Sequence, residues 1–115
     1  MRIQSKSTKV RLECSIHKSG GDHFFGYTRN LSRDGVEIES NSLCLPGSKQ
    51  PRSGDIALLR LSYIKKNILE TVHIHARVLY VMGVTAGLEM FMTELSLAQR
   101  DDLLKIMETG SASIN

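Results

Sequence analysis

Residues 30–35, Asn-Leu-Ser-Arg-Asp-Gly, carry the side chains of this sequence that are best suited to holding a small ligand. Asn30 and Ser32 can each donate and accept hydrogen bonds, and Gly35 permits positive φ and a close approach of other atoms to the backbone. The pattern Asn-x-Ser-x-x-Gly is by itself more typical of an ordinary turn. We predict an exposed polar loop in which Gly35 adopts positive φ and the side chains of Asn30 and Ser32 face solvent.

Basic residues are concentrated near the N-terminus. The first 18 residues contain five basic residues and one acidic residue, so they carry +4, whereas the whole chain carries +3 and the remainder therefore −1. The basic residues are Arg2, Lys6, Lys9, Arg11 and Lys18. Such a local field attracts nucleic acid, an acidic protein or a phosphorylated small molecule alike, and a solvated tail is an equally simple interpretation. We predict that residues 1–9 form a flexible basic arm.

Two histidines are the only candidates for a metal site. His73 and His75 lie two residues apart, so on a strand they share one face, which is a spacing that can serve a metal ion. No Cys, Asp or Glu in an obvious register completes the set, and histidines that face solvent explain the pattern, so we predict no metal. The sequence has neither a glycine-rich phosphate loop nor a nucleophile with a recognisable base. It therefore predicts a protein that is not an enzyme.

The composition fits one ordinary globular domain, because 115 residues that are 41% hydrophobic and 23% charged leave no room for a second large core. The longest apolar run, residues 78–82, is far too short to cross a bilayer, and no hydrophobic signal segment follows the first residues. We therefore expect a cytoplasmic protein without membrane insertion. Cys14 and Cys44 form neither a C-x-x-C pair nor a disulfide framework, and both are predicted to be buried thiols.

Alternation of apolar and polar residues predicts strands along most of the chain. Val10, Leu12, Cys14 and Ile16 would face one side of a strand, and clusters of turn residues separate the later extended stretches. The predicted strands cover residues 10–16, 23–29, 36–39, 56–63, 72–80 and 87–91, and residues 40–53 are predicted to form an irregular loop. Short strands with regularly spaced turns favour a small closed antiparallel barrel, because closure removes exposed edges.

One helix is predicted, after the last strand. Ser96 and Gln99 have the spacing of a capping box, Leu103 and Met107 follow on one face, and Gly110 is a plausible end. The predicted fold class is all-β, a small six-stranded antiparallel β-barrel with one C-terminal helix. The predicted boundaries are residues 10–109 for the barrel domain, 96–108 for its helix and 110–115 for a disordered tail.

Taken in order along the chain, these features resemble the PilZ domain, a family of bacterial six-stranded β-barrels that are receptors for cyclic di-GMP. The resemblance covers roughly residues 6–108. It rests on the basic arm, on the Asn-x-Ser-x-x-Gly pattern at residues 30–35, and on Gly-Leu-Glu-Met-Phe at residues 87–91 before a terminal helix. It implies a PilZ-like barrel, cyclic di-GMP as the ligand, no further cofactor, and an unidentified protein effector as the partner.

In that family an R-x-x-x-R motif on the arm is paired with the D/N-x-S-x-x-G loop, because a planar guanidinium matches the O6 and N7 acceptors of guanine. Here the arm motif is degenerate. Alignment on the following strand puts Ser5 and Lys9 at the two arginine positions, whereas the other register uses Arg2 and Lys6. The ligand-binding residues implied by the resemblance are Arg2, Lys6, Lys9, Arg11, Asn30, Ser32 and Gly35.

The resemblance implies an adaptor that binds cyclic di-GMP and relays this second-messenger signal through protein–protein contacts. The alternative is a PilZ-fold interaction module that no longer binds cyclic di-GMP and acts as a structural or assembly partner, which the degenerate arm motif supports. A nucleic-acid-binding barrel is a third interpretation. A net charge of only +3 and few candidate stacking rings beside the arm make nucleic acid an unexpected partner.

Overall fold

The structure is a computed structural model that describes residues 7–19, 21–44 and 49–115. In those ranges the period-two pattern forms strands, and the polar segment after the last long strand forms a helix. The strands are β1 (Thr8–Lys9), β2 (Glu13–Lys18), β3 (His23–Leu31), β4 (Gly35–Glu39), β5 (Ile56–Lys65), β6 (Ile68–Met82), β7 (Thr85–Met90) and β8 (Ser113–Ile114), and the helix is α1 (Leu97–Thr109). Short 3-10 turns cover Asn41–Cys44 and Met92–Glu94.

Six of these strands close into an antiparallel barrel. Neighbouring strands pair in the order β3, β2, β5, β6, β7, β4, and β4 pairs again with β3 to complete the ring. The prediction of a six-stranded antiparallel barrel with one C-terminal helix is therefore confirmed. Alternate residues of each strand fill the interior, as Cys14 and Ile16 of β2 and Val36 and Ile38 of β4 illustrate.

Helix α1 begins and ends near the residues that the sequence indicated. Ser96 Oγ accepts a hydrogen bond from the Gln99 backbone N–H, and the Gln99 side chain accepts one from the Ser96 N–H, so the predicted capping box is present. Gly110 closes the helix with φ of 69°, a left-handed conformation that favours glycine. Leu103 and Ile106 anchor the helix in the core. No helix in the described ranges combines the length and the apolar character needed to cross a bilayer.

The C-terminal tail is ordered, which corrects the prediction of a disordered tail over residues 110–115. Ser113 and Ile114 of β8 pair in parallel with Ile64 and Lys65 of β5, and Ile114 is buried. The reason is that β2 covers this edge of β5 only as far as Ser62. Beyond that point the backbone of β5 is free, and the tail supplies both hydrogen bonds and an apolar side chain.

The two cysteines differ in burial. Cys14 is buried inside the barrel, and its burial, followed by the nearby negative charge of Glu13, raises the pKa of its thiol to about 12. Cys44 is exposed, so the prediction that both thiols are buried is wrong for this residue. In its 3-10 turn, Leu43 is the side chain that enters the core, which leaves Cys44 on the outside.

Candidate ligand-binding site

The turn between β3 and β4 is closed by Ser32. Its backbone N–H donates to the Gly35 carbonyl at 2.9 Å, and its hydroxyl oxygen lies 3.2 Å from both the amide nitrogen and the carbonyl oxygen of Gly35. Ser32 is fully buried, which corrects the prediction that its side chain faces solvent. The hydroxyl makes its hydrogen bonds to Gly35 inside the turn, so Ser32 stabilises the conformation of the turn.

Gly35 also differs from its prediction. It is the first residue of β4 and has extended backbone, and the described glycines with positive φ are Gly54, Gly83 and Gly110. Because Ser32 holds the turn by side-chain hydrogen bonds, no left-handed residue is needed there. Gly35 is buried and pairs with Glu89 of β7.

Asn30 lies half-buried on the outer surface of the barrel, beside a carboxylate that fixes its amide. Its Nδ2 donates to Glu37 Oε1 at 3.1 Å, and the Tyr80 hydroxyl donates to Glu37 Oε2 at 2.7 Å. Burial, and then the hydrogen bond to Glu37, raise the pKa of Tyr80 to about 12, so the phenol remains a donor at neutral pH. With Nδ2 held by a carboxylate, Asn30 Oδ1 accepts no hydrogen bond from the described residues and is available to a ligand.

Asn30, Glu37 and Tyr80 lie in one row that crosses three pairs of neighbouring strands. Asn30 is the cross-strand partner of Glu37, Glu37 is the partner of Gly87, and Gly87 is the partner of Tyr80. The Tyr80 ring lies over Gly87, where any Cβ would collide with it. Sequence reasoning missed Glu37 and Tyr80. A glycine in the middle of a strand, which marks close approach of another group, was the available signal for this contact.

The arm enters the site along β3. Lys9 of β1 is the cross-strand partner of Asn30, so this exposed lysine lies next to the amide in the row. The chain between β1 and β2 is fastened by buried Thr28, whose hydroxyl donates to the Val10 carbonyl at 2.6 Å and accepts from the Leu12 N–H at 2.8 Å. Lys9 therefore belongs to the barrel rather than to a flexible arm, which corrects that part of the prediction.

The other predicted arm residues are not brought to Asn30 in the described ranges. The Arg11 guanidinium lies over the ring of Tyr27, 3.8 Å from the ring centroid, and this cation–π contact points it at a different part of β3. Arg2 and Lys6, and with them Ser5, lie outside the described residues.

Two further arginines, which sequence reasoning did not select, lie near the site. Arg29 is ion-paired with the β4 carboxylates, with Nε 3.7 Å from Glu37 Oε1 and 3.9 Å from Glu39 Oε2. Arg33, inside the β3–β4 turn, is exposed and lines a groove of about 630 Å³ with the start of β1 and the end of α1. Its location inside the polar loop was the signal that sequence reasoning could have used. Arg33 thus adds an exposed basic side chain three positions after Asn30 in the chain.

The two histidines considered for a metal face solvent. His75 Nδ1 lies 3.1 Å from Glu94 Oε1, and His73 is exposed on the same face of β6. Within the described residues, no group of three or more His, Cys, Asp or Glu side chains is arranged to hold a metal ion.

Comparison with known proteins agrees with this architecture. A family model described as PilZ domain matches residues 2–109. The fold is similar to an inhibitor of motility from Bacillus subtilis (MotI/DgrA), with a TM-score of 0.70 and 17% sequence identity, over 94% of this chain and 50% of that one. It is also similar to the PilZ domain of CeSA from a cellulose-synthesizing bacterium, with a TM-score of 0.60 and 13% identity, over 90% of this chain and 96% of that one.

This chain thus spans half the length of the Bacillus subtilis protein. At these identities the two solved structures establish the fold alone. No curated protein matches the chain significantly by sequence.

Proposed function

Because this chain belongs to the PilZ domain family, we propose that it is a cytoplasmic receptor that binds cyclic di-GMP and relays the bound state to a protein effector through direct contact. PilZ domains are typically non-enzymatic receptors or adaptors, and we propose that this chain likewise catalyses no reaction. The observation that carries the proposal is the fixed orientation of the Asn30 amide.

Guanine is the base that matches this amide. Its Watson–Crick edge presents the N1–H and the exocyclic N2 amino group as donors, and Asn30 Oδ1 is an acceptor that no described residue occupies. The Glu37 carboxylate, itself held by Tyr80, disfavours the flipped amide, because a flip would put Oδ1 against a carboxylate oxygen. Adenine presents only one donor on that edge, its N6 amino group, beside an acceptor at N1, so it offers Oδ1 one hydrogen bond where guanine offers two.

In this proposal the basic residues near the Asn30 amide bind the phosphates. Lys9 lies beside Asn30 in the strand register, and Arg33 lies in the turn that follows β3; both side chains are exposed. Positive charge from these two residues, and from Arg2 and Lys6 of the arm, would complement the two phosphodiesters. A lysine supplies charge without the planar fork of an arginine, so each lysine contact is less selective for guanine. Contacts that these basic residues make only with bound ligand would change the surface that an effector meets.

The direct test is titration calorimetry of the purified chain with cyclic di-GMP. We expect saturable binding by the wild type, loss of most of that affinity in Asn30→Ala, and unchanged binding in the matched control Asn115→Ala, which alters an exposed asparagine at the C-terminus. Cyclic di-AMP should bind more weakly than cyclic di-GMP, because adenine offers Oδ1 one donor instead of two. Equal affinity of Asn30→Ala and wild type would contradict the proposed role of the amide.

Two other outcomes distinguish the remaining interpretations. If the folded wild type binds no cyclic di-GMP, the receptor proposal fails and the ligand-free interaction module takes its place. If the protein binds a DNA or RNA oligomer, and that affinity collapses steeply between two salt concentrations, the basic arm acts as a non-specific nucleic-acid contact.

A further inference from the structure

Strand β6 extends well beyond its neighbour β7. It runs from Ile68 to Met82, and its contacts with β7 begin only at Ala76, whereas β5 pairs with it from Ile68 onward. Residues 68–74 of β6 therefore have β5 on one edge and, among the described residues, no strand on the other. The other long strands of the described barrel pair on both sides, so this stretch of β6 is an open edge. An open edge of this length can pair with another strand.

The backbone of His75 reveals which groups face the uncovered edge. Its N–H donates to Glu94 Oε1 at 2.8 Å, and its carbonyl accepts from the Phe91 N–H at 3.0 Å, so both point away from β5. The β5–β6 register is continuous from Ile68 to Arg77, and the direction of backbone groups alternates along a strand. The N–H and C=O groups of Leu69, Thr71 and His73 therefore face the same edge, and the described structure gives them no partner there.

This edge also lacks the usual protection against pairing. Natural edge strands are guarded by lysine, proline, bulges or short length, but residues 68–74 contain one charged side chain, Glu70, and no proline. Ile68 and Leu69 at its start are large apolar side chains with 63% and 65% of their surface exposed. The edge thus offers free backbone hydrogen bonds beside an apolar surface, which is the combination that recruits another strand.

We propose that this edge pairs with the same edge of a second copy of this chain, antiparallel about a twofold axis at Thr71. In that register Leu69 faces His73 of the second copy and Thr71 faces Thr71, so every outward N–H and C=O group of these residues finds a partner. Threonines directly opposite one another on antiparallel strands are a favourable pair. The interface is independent of the cyclic di-GMP site proposed above.

Neighbouring registers are less favourable. A twofold axis at Glu70 would put two carboxylates directly opposite one another, which is destabilising. An axis at Leu69 would place His73 opposite residue 65 of the second copy. That residue lies before the start of β6 at Ile68, so the outward N–H and C=O of His73 would have no strand partner. Self-complementarity of the segment therefore selects the Thr71 axis and a second copy as the occupant.

The test is sedimentation equilibrium of the full chain over a range of protein concentrations. We expect a reversible monomer–dimer equilibrium for the wild type. Leu69→Lys, which places a charge on the apolar end of the edge, should weaken dimerisation by about tenfold or more while the circular dichroism spectrum stays native. The control Leu97→Lys adds the same charge at another exposed leucine, at the start of α1, and should dimerise like the wild type.

Amide hydrogen exchange supplies a second readout, at the backbone groups of the proposed interface. The amides of residues 69, 71 and 73 should become protected as wild-type concentration rises through the dimer range, and in Leu69→Lys this protection should require a correspondingly higher concentration. A wild type that remains monomeric at high concentration overturns the proposal. So does a dimer in which these amides exchange as fast as in the monomer, or an edge that is protected only when a different protein is added.

Discussion

Tyr80 lies across Gly87, and this contact lets a residue near the C-terminal end of β6 hold a residue of β4 in place. The ring occupies the space that a side chain at position 87 would need, and the hydroxyl donates to Glu37 at 2.7 Å. Glu37 in turn fixes the Asn30 amide. The orientation of the proposed guanine acceptor is therefore set by cross-strand neighbours of Asn30 and not by the turn that follows it.

Replacing Gly87 by alanine tests this relationship. The new methyl group would push the Tyr80 ring off the strand, and we expect a loss of about 1–3 kcal/mol in the free energy of unfolding, typical of overpacking. Cyclic di-GMP affinity should fall as well, because Glu37 loses the hydrogen bond from Tyr80 that helps to fix it beside Asn30. Urea unfolding and calorimetry measure the two effects. Gly21→Ala, where an added Cβ meets only ordinary contacts with Lys18, is the control and should change neither.

Thr28→Val tests how the start of the chain is fastened to the barrel. Valine keeps the shape of threonine but removes the hydroxyl that bridges Val10 and Leu12, which leaves a buried N–H and a buried carbonyl without that partner. We expect a loss of about 1–3 kcal/mol in the free energy of unfolding, together with faster hydrogen exchange at the Leu12 amide. Thr93→Val, at an exposed threonine, should have the stability of the wild type. Equal stability of the two variants would show that Thr28 does not fasten the chain.

The barrel could be predicted from the sequence because its determinants are local. Alternation marks the inward face of each long strand, as in Cys14 and Ile16, and the capping box at Ser96 needs only residues one turn apart. The ordered tail could not be predicted in this way. Burial of Ile114 depends on where β2 stops covering β5, and that point is set by pairings between segments distant in sequence.

The candidate site also has a part that the sequence could predict and a part that it could not. The polar loop was recognised from its residue types, but the burial of Ser32 was not, because the sequence does not reveal that its hydroxyl folds back onto Gly35. The contact among Asn30, Glu37 and Tyr80 joins β3, β4 and β6, with Gly87 of β7 between the last two. Only the pairings of the closed barrel bring these strands together. Alternation predicts that Glu37 faces outward and cannot predict which residues stand beside it.

Stability at acid pH should depend on Asp102. Burial alone would raise the pKa of this carboxyl, but hydrogen bonds from Tyr63 at 2.7 Å and Lys65 at 3.3 Å lower the pKa below its ordinary value of 3.8. The folded state then binds the proton less tightly than the unfolded state. The stabilisation by this carboxylate is therefore present above the unfolded pKa and is lost as pH falls through the folded pKa.

Asp102→Asn should remove that part of the pH dependence. In urea unfolding between about pH 5 and pH 2, the wild type should lose stability more steeply than the variant, whose free energy of unfolding is lower at neutral pH and changes less on acidification. The neighbouring Asp101 is exposed, so Asp101→Asn is a matched control that should follow the wild-type curve. Parallel curves for wild type and Asp102→Asn would mean that Asp102 does not set the acid limit.

The arm is where this chain departs from its family, and arginine substitution tests the consequence. If guanine recognition is limited by the residues at the two arginine positions, Ser5→Arg combined with Lys9→Arg should tighten cyclic di-GMP binding. Each bidentate contact to guanine is worth about 1–3 kcal/mol, so the pair should raise affinity by about tenfold or more. Arg2→Ala combined with Lys6→Ala examines the other register. If that pair abolishes binding while the arginine pair changes nothing, the ligand is held by Arg2 and Lys6, and the arm aligns three residues earlier.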